Sequence, residues 1–371
     1  MQSQLLAVGS FRAEQGSGIE AAATAVGTTT HFVRQHDLSA ALEENPLALL
    51  LQMDEPSAAS TCLEMRTQPR SASVPILGSS PRPGDLTFTE LFCWGGDDLV
   101  EAGRPDALIR RLRAVITARS SGGASGVPAA DRGIAVVAAS DPSWRSVMGR
   151  TLHGAGYRVR FVGTSEELEA LDSEVKVVVA ADDLHPTGAA AAAIRARELG
   201  SDAAWVVVAP PKRMVAAHRT IGKLFRAAAV DSFAPPENVL FVLNDLIAAW
   251  STNQRSSARV LYGTTVAFRT AGRDEDEVGF SYNISAKGLY VRTLAPPEPG
   301  QEVWIDAWPP RSERRVRLAG TVAWRRLFGE VTKTGVPPGF GVNLVDGLAG
   351  DLERWRVSYD ALARTMRGTL A

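Results

Sequence analysis

The chain is poor in cysteine, in net charge and in long apolar runs, and each shortage removes a class of protein. Cys62 and Cys93 are the only cysteines among 371 residues. They have neither metal-ligand spacing nor the density of a disulfide framework, which suits a reducing cytoplasm. The formal net charge is -1, so there is no electrostatic case for general nucleic-acid binding. No segment approaches the roughly 18 uninterrupted apolar residues that a membrane span requires, and the first residues lack the basic and apolar regions of a signal peptide. The expectation is a soluble, cytoplasmic chain with no membrane span and no nucleic-acid partner. Catalytic signatures are missing as well: there is no P-loop or nucleophile elbow, and His31, His36, His153, His185 and His218 have no paired spacing. No enzymatic activity, metal or cofactor is expected.

What is present is length and apolar content. At 371 residues and 45% apolar, the chain is too long for one compact domain and has enough hydrophobic residues for two or three real cores. Residues 120–132, rich in Ser and Gly, read as a flexible linker. On either side of it, apolar strand-like runs alternate with helical stretches. In the second unit the strands fall at Ile134–Ala139, Arg158–Val162, Val175–Ala180, Ala204–Ala209 and Val230–Phe233, with helices between them and a last helix over Glu237–Trp250. In the first, the strands fall near Leu5–Val8, Thr30–Val33, Ala48–Met53, Val74–Leu77 and Leu91–Trp94, closed by a helix over Pro105–Arg119. Such alternation predicts parallel sheets with helices on both faces, in flavodoxin-like order.

Ser140-Asp141-Pro142 and Ala155-Gly156-Tyr157 in the second unit, and Gly96-Asp97-Asp98-Leu99-Val100 before Arg104-Pro105 in the first, resemble segments of the receiver domains of two-component signalling. A working receiver needs an acidic pair for Mg²⁺, an acceptor Asp, a hydroxyl and a Lys. In the second unit the acidic pair aligns with Ala139 and Ser140, and Asp182 stands at the acceptor position, but Ala209 and Ala234 replace the hydroxyl and the Lys. In the first, Gly9, Gln52 and Glu101 stand at the acidic, acceptor and Lys positions. Without metal ligands or a cation, the charge of phosphoryl transfer is not stabilised. Both units therefore read as pseudo-receivers for docking or self-association, with Asp182 a vestigial phosphoacceptor. Gly95-Gly96-Asp97-Asp98 also resembles the active-site hairpin of diguanylate cyclases. It stands just before the closing helix of a small α/β unit, with no room for a cyclase domain, and is set aside as a chance match.

The last third changes character. Arg259–Phe268, Val278–Tyr282, Leu289–Arg292, Glu302–Ala307, Val316–Trp324 and Phe340–Val345 are short, β-branched and aromatic, which predicts a small antiparallel barrel. Leu348, Leu352, Trp355, Tyr359, Leu362 and Met366 then form one apolar stripe on a terminal helix, suited to packing across the barrel, the commoner arrangement, or to a coiled-coil contact with a second chain. The expected organisation is a first unit over 1–119, the linker over 120–132, a second unit over 133–250 and the barrel over 251–371.

Arg255 and Arg259, four apart, open the barrel, and Asn283, Ser285 and Gly288 follow about one hairpin later. A guanidinium can grip the O6/N7 edge of guanine or a phosphate oxygen pair, and can stack on a purine. Asn283 and Ser285 alternate along an extended segment, so both face one side, and Gly288 allows close backbone approach. This pairing, with Gly339-Phe340-Gly341-Val342 further on, resembles the signature of PilZ domains, the bacterial receptors for cyclic di-GMP, over residues 253–370. The resemblance implies a six-stranded barrel with a terminal helix and a cyclic di-GMP site formed by Arg255, Arg259, Asn283, Ser285 and Gly288. Gln254 stands where some members have a further Arg, which leaves one or two nucleotides per site open. It also implies roles in motility, exopolysaccharide or development, with protein partners or homodimerisation through the pseudo-receivers. In this reading nucleotide binding orders residues 251–259 and draws the barrel toward the second unit. The rival readings are a phospho-response regulator acting through Asp182 and a PilZ scaffold that binds no nucleotide.

Overall fold

The computed structural model describes residues 3–44, 46–120, 131–169, 171–248, 259–330 and 336–369. The first unit comprises β1 (Gln4–Val8), α1 (Ala13–Ala25), β2 (Thr29–Val33), α2 (Leu38–Ala41), β3 (Ala48–Gln52), α3 (Ala58–Thr67), β4 (Ile76–Ser80), α4 (Asp85–Cys93), β5 (Asp98–Glu101) and α5 (Pro105–Ser120). Its five strands are parallel in the order β2-β1-β3-β4-β5, which is the flavodoxin-like order. Strands such as Ala48-Leu-Leu-Leu51 are buried on both faces, as a sheet sandwiched by helices requires.

The second unit repeats the plan. It comprises β6 (Ile134–Ala138), α6 (Pro142–Gly154), β7 (Arg158–Val162), α7 (Glu166–Glu169), β8 (Val175–Ala181), α8 (Ala189–Glu198), β9 (Ala204–Ala209), α9 (Pro211–Ile221), β10 (Ala227–Asp231) and α10 (Pro236–Ala248). The order is β10-β9-β8-β6-β7, again all parallel.

Three strands lie elsewhere than the sequence suggests, one of them β4, which spans Ile76–Ser80 instead of Val74–Leu77. Leu91–Trp94 is not a strand: Phe88, Leu91 and Phe92 recur at helical spacing and pack inward from α4, and the last strand starts at Asp98. Short apolar runs do not distinguish a buried helix turn from a strand. The last strand of the second unit similarly begins at Ala227, because Ala227–Ala229 have strand geometry without the β-branched bulk that marks one. The linker residues 121–130 lie outside the described residues.

The remaining strands are β11 (Val260–Leu261), β12 (Thr265–Thr270), β13 (Glu277–Ser285), β14 (Gly288–Arg292), β15 (Glu302–Ala307), β16 (Val316–Arg326) and β17 (Gly339–Gly347), followed by α11 (Asp351–Thr369). Six of them close into an antiparallel barrel, β13-β12-β15-β16-β17-β14 and back to β13, while β11 is a short annex on β13. Val266, Phe268, Ile284, Leu289, Val291, Phe340 and Val342 fill it, and Trp355, Tyr359 and Ala363 of α11 seal one end. The Trp355 indole donates to the Ser285 carbonyl at 3.0 Å. Leu348, at the start of the expected stripe, is exposed instead, because it lies in the turn before the helix.

The barrel straddles edge strand β5. Phe280 enters the core on one side of the first sheet, stacking on Phe88 at 5.1 Å and meeting Phe92 edge-on at 5.9 Å. Leu294 enters the core on the other side. Each such side chain contributes about 1.5–3 kcal/mol when fully buried. Between them lies a buried polar cluster. Asp98 takes Arg111 Nε at 3.1 Å, the Thr293 hydroxyl at 3.1 Å and the Leu294 N–H at 2.8 Å. Glu277 faces Arg110, Arg111 and Arg273 at 2.7–2.9 Å. Next to Asp98, Asp97 pairs with Arg66 of the first unit and Arg150 of the second, both at 2.9 Å.

Because Arg111 is the shared partner of two buried carboxylates, Arg111→Ala should cost about 3–5 kcal/mol. A fall in thermal midpoint of several degrees, read by circular dichroism, is the expected outcome; an unchanged midpoint contradicts the assignment. Acid should act through Asp97. Burial alone would raise its pKa, but Arg150, Arg66 and the Ile76 N–H outweigh burial and hold it below the usual carboxylate range. A depressed carboxylate contributes stability that is complete above its unfolded value and lost as pH falls through its folded value. Asp97→Asn should therefore be much less stable than the wild type near pH 6, with the gap narrowing as pH falls below the ordinary carboxylate range, as followed by denaturant unfolding at a series of pH values.

Candidate functional site

The barrel exterior over β13, β14, β17 and β16 brings the signature residues together. Arg259 directly precedes β11, whose Val260 and Leu261 pair with Ile284 and Asn283, so the arginine arrives beside Ser285. Asn283 and Ser285 lie on β13 with Ile284 between them pointing into the core. Ser285 and Gly288 pair across the hairpin turn, and the Ser285 hydroxyl donates to the Gly288 carbonyl at 3.3 Å. Arg259, Asn283, Ser285 and Gly288 are thus neighbours; Arg255 and Gln254 lie outside the described residues.

Three cross-strand rows define the surface. Ser285, Gly288, Asn343 and Thr321 form the first, Asn283, Tyr290, Gly341 and Trp324 the second, and Phe280, Arg292, Gly339 and Arg326 the third. Gly341 is essential to the second row. A Cβ there would lie 2.5 Å from the Trp324 indole nitrogen, so only glycine lets that ring lie across β17 and stack on Tyr290 at 4.9 Å and 25°. At Gly288 a Cβ would lie 2.2 Å from the Val342 carbonyl oxygen, which makes this glycine a requirement of strand approach.

A β-bulge between Ser281 and Asn283 sets two successive side chains, Tyr282 and Asn283, on the exterior. Asn283 joins the second row. Tyr282 turns to the second unit, meeting Phe241 of α10 edge-on and donating to the Glu237 carbonyl at 2.6 Å. Arg292, one row away, lies 3.4 Å over the Phe92 ring and donates to Glu237 Oε1 at 2.9 Å and to the Gly96 carbonyl at 3.3 Å. The candidate site therefore borders a point where all three parts of the chain meet.

Three guanidiniums, those of Arg326, Arg292 and Arg259, lie close enough to Tyr290 to act on its phenol. Burial drives the Tyr290 phenol above its usual range, against the opposing influence of Arg326, Arg292 and Arg259, and its hydroxyl donates to the Pro337 carbonyl at 2.6 Å. Burial also lowers Arg326, although Tyr290 and Glu330 beside it favour its charge. Guanidiniums next to stacked aromatic rings and a strand amide can take a planar, anionic ligand with hydrogen-bonding edges.

Tyr282, Tyr290, Arg292, Trp324 and Arg326 are absent from the signature. Tyr290 could have been found: it stands between the inward Leu289 and Val291, an aromatic side chain on the outward phase opposite Asn283. Arg292 and Tyr282 could not, since their partners are over 40 residues away in sequence.

The other expected site is closed. Asp182, at the carboxyl end of β8, is buried against Arg213 Nε at 2.8 Å. Asp141 accepts from the Ser143 N–H at 2.8 Å and caps α6. Gln52 lies directly against Gly9 in the first unit.

The chain is thus two flavodoxin-like units followed by a closed six-stranded barrel with a terminal helix. Residues 253–354 match the family model of the PilZ domain, so the chain carries a PilZ domain in its last third. Among solved structures, the Bacillus subtilis inhibitor of motility MotI/DgrA is 18% identical, with a TM-score of 0.25, over 30% of this chain and 52% of its own. The chain thus spans about half the length of that protein. The PilZ domain of CeSA from a cellulose-synthesizing bacterium is 15% identical, with a TM-score of 0.21, over 30% of this chain and 99% of its own. A putative two-component response regulator/GGDEF domain protein is 12% identical, with a TM-score of 0.28, over 67% of this chain and 99% of its own. Likenesses this weak carry no function to the chain. No curated protein matches it. No helix among the described residues is long and apolar enough to cross a membrane.

Gly288→Ala tests the close approach: β14 and β17 must part, and a loss of about 1–3 kcal/mol is expected from such overpacking, measured by urea unfolding with tryptophan fluorescence.

Proposed function

We propose that this chain is a cyclic di-GMP effector in which nucleotide binding on the barrel exterior is passed to the receiver-like units, which dock protein partners. The single observation that carries this reading is the convergence of Arg259, Asn283, Ser285 and Gly288 on one face beside the Tyr290–Trp324 stack. In this reading Arg255 and Arg259 clamp a guanine edge or phosphate, Asn283 and Ser285 hydrogen-bond a second edge, and Trp324, backed by the buried Tyr290, gives a base a surface to lie on. The function is binding, with downstream effects on motility, exopolysaccharide or development.

The barrel does not need to be drawn toward the second unit from a distance, as the sequence suggests. It is already seated on both units through Phe280, Leu294, Arg292 and Tyr282. The coupling we propose is local. Asn283 faces the ligand while its neighbour Tyr282 holds Glu237 at the start of α10, and residues 249–258, which follow that helix, lead to Arg259. A ligand that fixes Arg255, Arg259 and Asn283 changes how α10 is held, and the coupling energy is reciprocal. The Asp182 phosphorylation reading gains no support from an acceptor already paired with Arg213.

Calorimetric titration of the full chain with cyclic di-GMP is the test. Saturable binding is expected, weakened roughly ten- to hundredfold by Arg259→Ala or Asn283→Ala, each removing charge-assisted or edge hydrogen bonds. Wild-type protein that takes up no nucleotide, or variants that bind as tightly, would sink the proposal and leave the scaffold reading.

A further inference from the structure

The two α/β units are built alike, yet among the described residues only one has its carboxyl-end edge covered. In the first, α4 and edge strand β5 are occupied by the barrel: Phe88 and Phe92 pack on Phe280, Asp85 accepts from the Thr265 N–H at 2.6 Å, and Asp98 takes the Leu294 N–H. The same elements of the second unit are α9 and edge strand β10. Among the described residues strand β10 pairs only with β9, and Ala227–Ala229 along it are half-buried.

This open face has a definite chemistry. Lys212, Val215, Ala216 and Arg219 recur at helical spacing along the exposed side of α9, and the exposed Lys223 follows. Val215 is 63% exposed and Phe225, at the entry to β10, is 53% exposed. Between Ala203 and Val230 there is no Asp or Glu. An apolar centre ringed by cations calls for an acidic surface with an apolar centre of its own.

The far edge of the first unit has that character. Edge strand β2 exposes Phe32 at 41%, next to Phe11 and over Gly16 of α1. Around this edge stand the exposed Glu14, Glu20, Asp37, Glu43 and Glu44, and Arg34 is the only Lys or Arg between Ala13 and Met65. The two faces lie on different units and are complementary in charge.

We infer that the α9–β10 face of one chain docks on the acidic α1–β2 face of a second copy, giving a head-to-tail assembly. Because the two surfaces differ, the contact is heterologous: each added copy leaves one face of each kind free, so assembly grows with concentration or closes into a ring. The inference goes beyond nucleotide binding and does not rest on it. Its dominant attraction is between exposed charges, so salt weakens it.

Sedimentation velocity of the full chain tests it. The wild type should associate with rising concentration at about 50 mM salt and dissociate near 500 mM, where the screening length shrinks to a few ångströms. Arg219→Glu with Lys223→Glu should abolish association, as should Glu14→Lys with Glu20→Lys, with circular dichroism unchanged for both. An equimolar mixture of the two double variants should associate again with the two alternating, because the pair of reversed faces and the pair of unchanged faces are both complementary. Wild type that stays monomeric at low salt, or that sediments only with phosphatidylserine vesicles, overturns the inference; so does association indifferent to both charge reversals.

Discussion

Asp97 and Asp98 are buried where one edge strand begins, and the arrangement of the three parts of the chain follows from neutralising them. A lone buried carboxylate is too costly to keep ionised, so each recruits guanidinium. Asp97 takes Arg66 from its own unit and Arg150 from the next; Asp98 takes Arg111, which also holds Glu277 of the barrel. The carbonyl of Gly96, just before, receives Arg292. Four successive residues, Gly95 to Asp98, thus touch every part of the protein. Buried pairs of this kind are weak sources of net stability; what they supply is one relative placement of three bodies, with the apolar contribution coming from Phe280 and Leu294 in the two cores beside them.

That placement divides the barrel surface into two neighbouring territories. The row of Asn283, Tyr290, Gly341 and Trp324 is where we propose the ligand binds, and the row of Phe280, Arg292, Gly339 and Arg326 carries much of the contact with the α/β units. They are one pleat apart, and the bulge at Tyr282 links them through a single peptide. Proximity of this order allows a bound anion to influence Arg292 and Arg326 directly as well as through the strand.

Much of the fold was legible because each part has a strong local signal. Runs such as Val177–Ala181 and Ala204–Ala209 are unbroken and apolar at strand length, and the barrel alternates with period two around Ile284, Leu289 and Val291. Leu91–Trp94 was misread because four apolar or aromatic residues in a row look alike as a strand or as the last turn of a buried helix. The PilZ signature was legible through side-chain chemistry at fixed spacing. The junction was not. Gly95-Gly96-Asp97-Asp98 looked like a chance match because its partners, Arg150, Thr293, Leu294 and Arg292, are supplied by distant segments, and a sequence carries no mark of which buried acid will meet which arginine.

The packing of Phe280 and Leu294 also imposes an order on synthesis. Domains fold as they leave the ribosome, N-terminal first, so the first unit emerges with the α4 face and the β5 edge bare. The residues that complete its two cores are made only after the whole second unit. Asp98 meets Arg111 early but must wait for Thr293 and the Leu294 N–H. The first domain begun is therefore among the last to reach its final packing, and the barrel acts as the closing piece of a structure that starts almost 300 residues upstream.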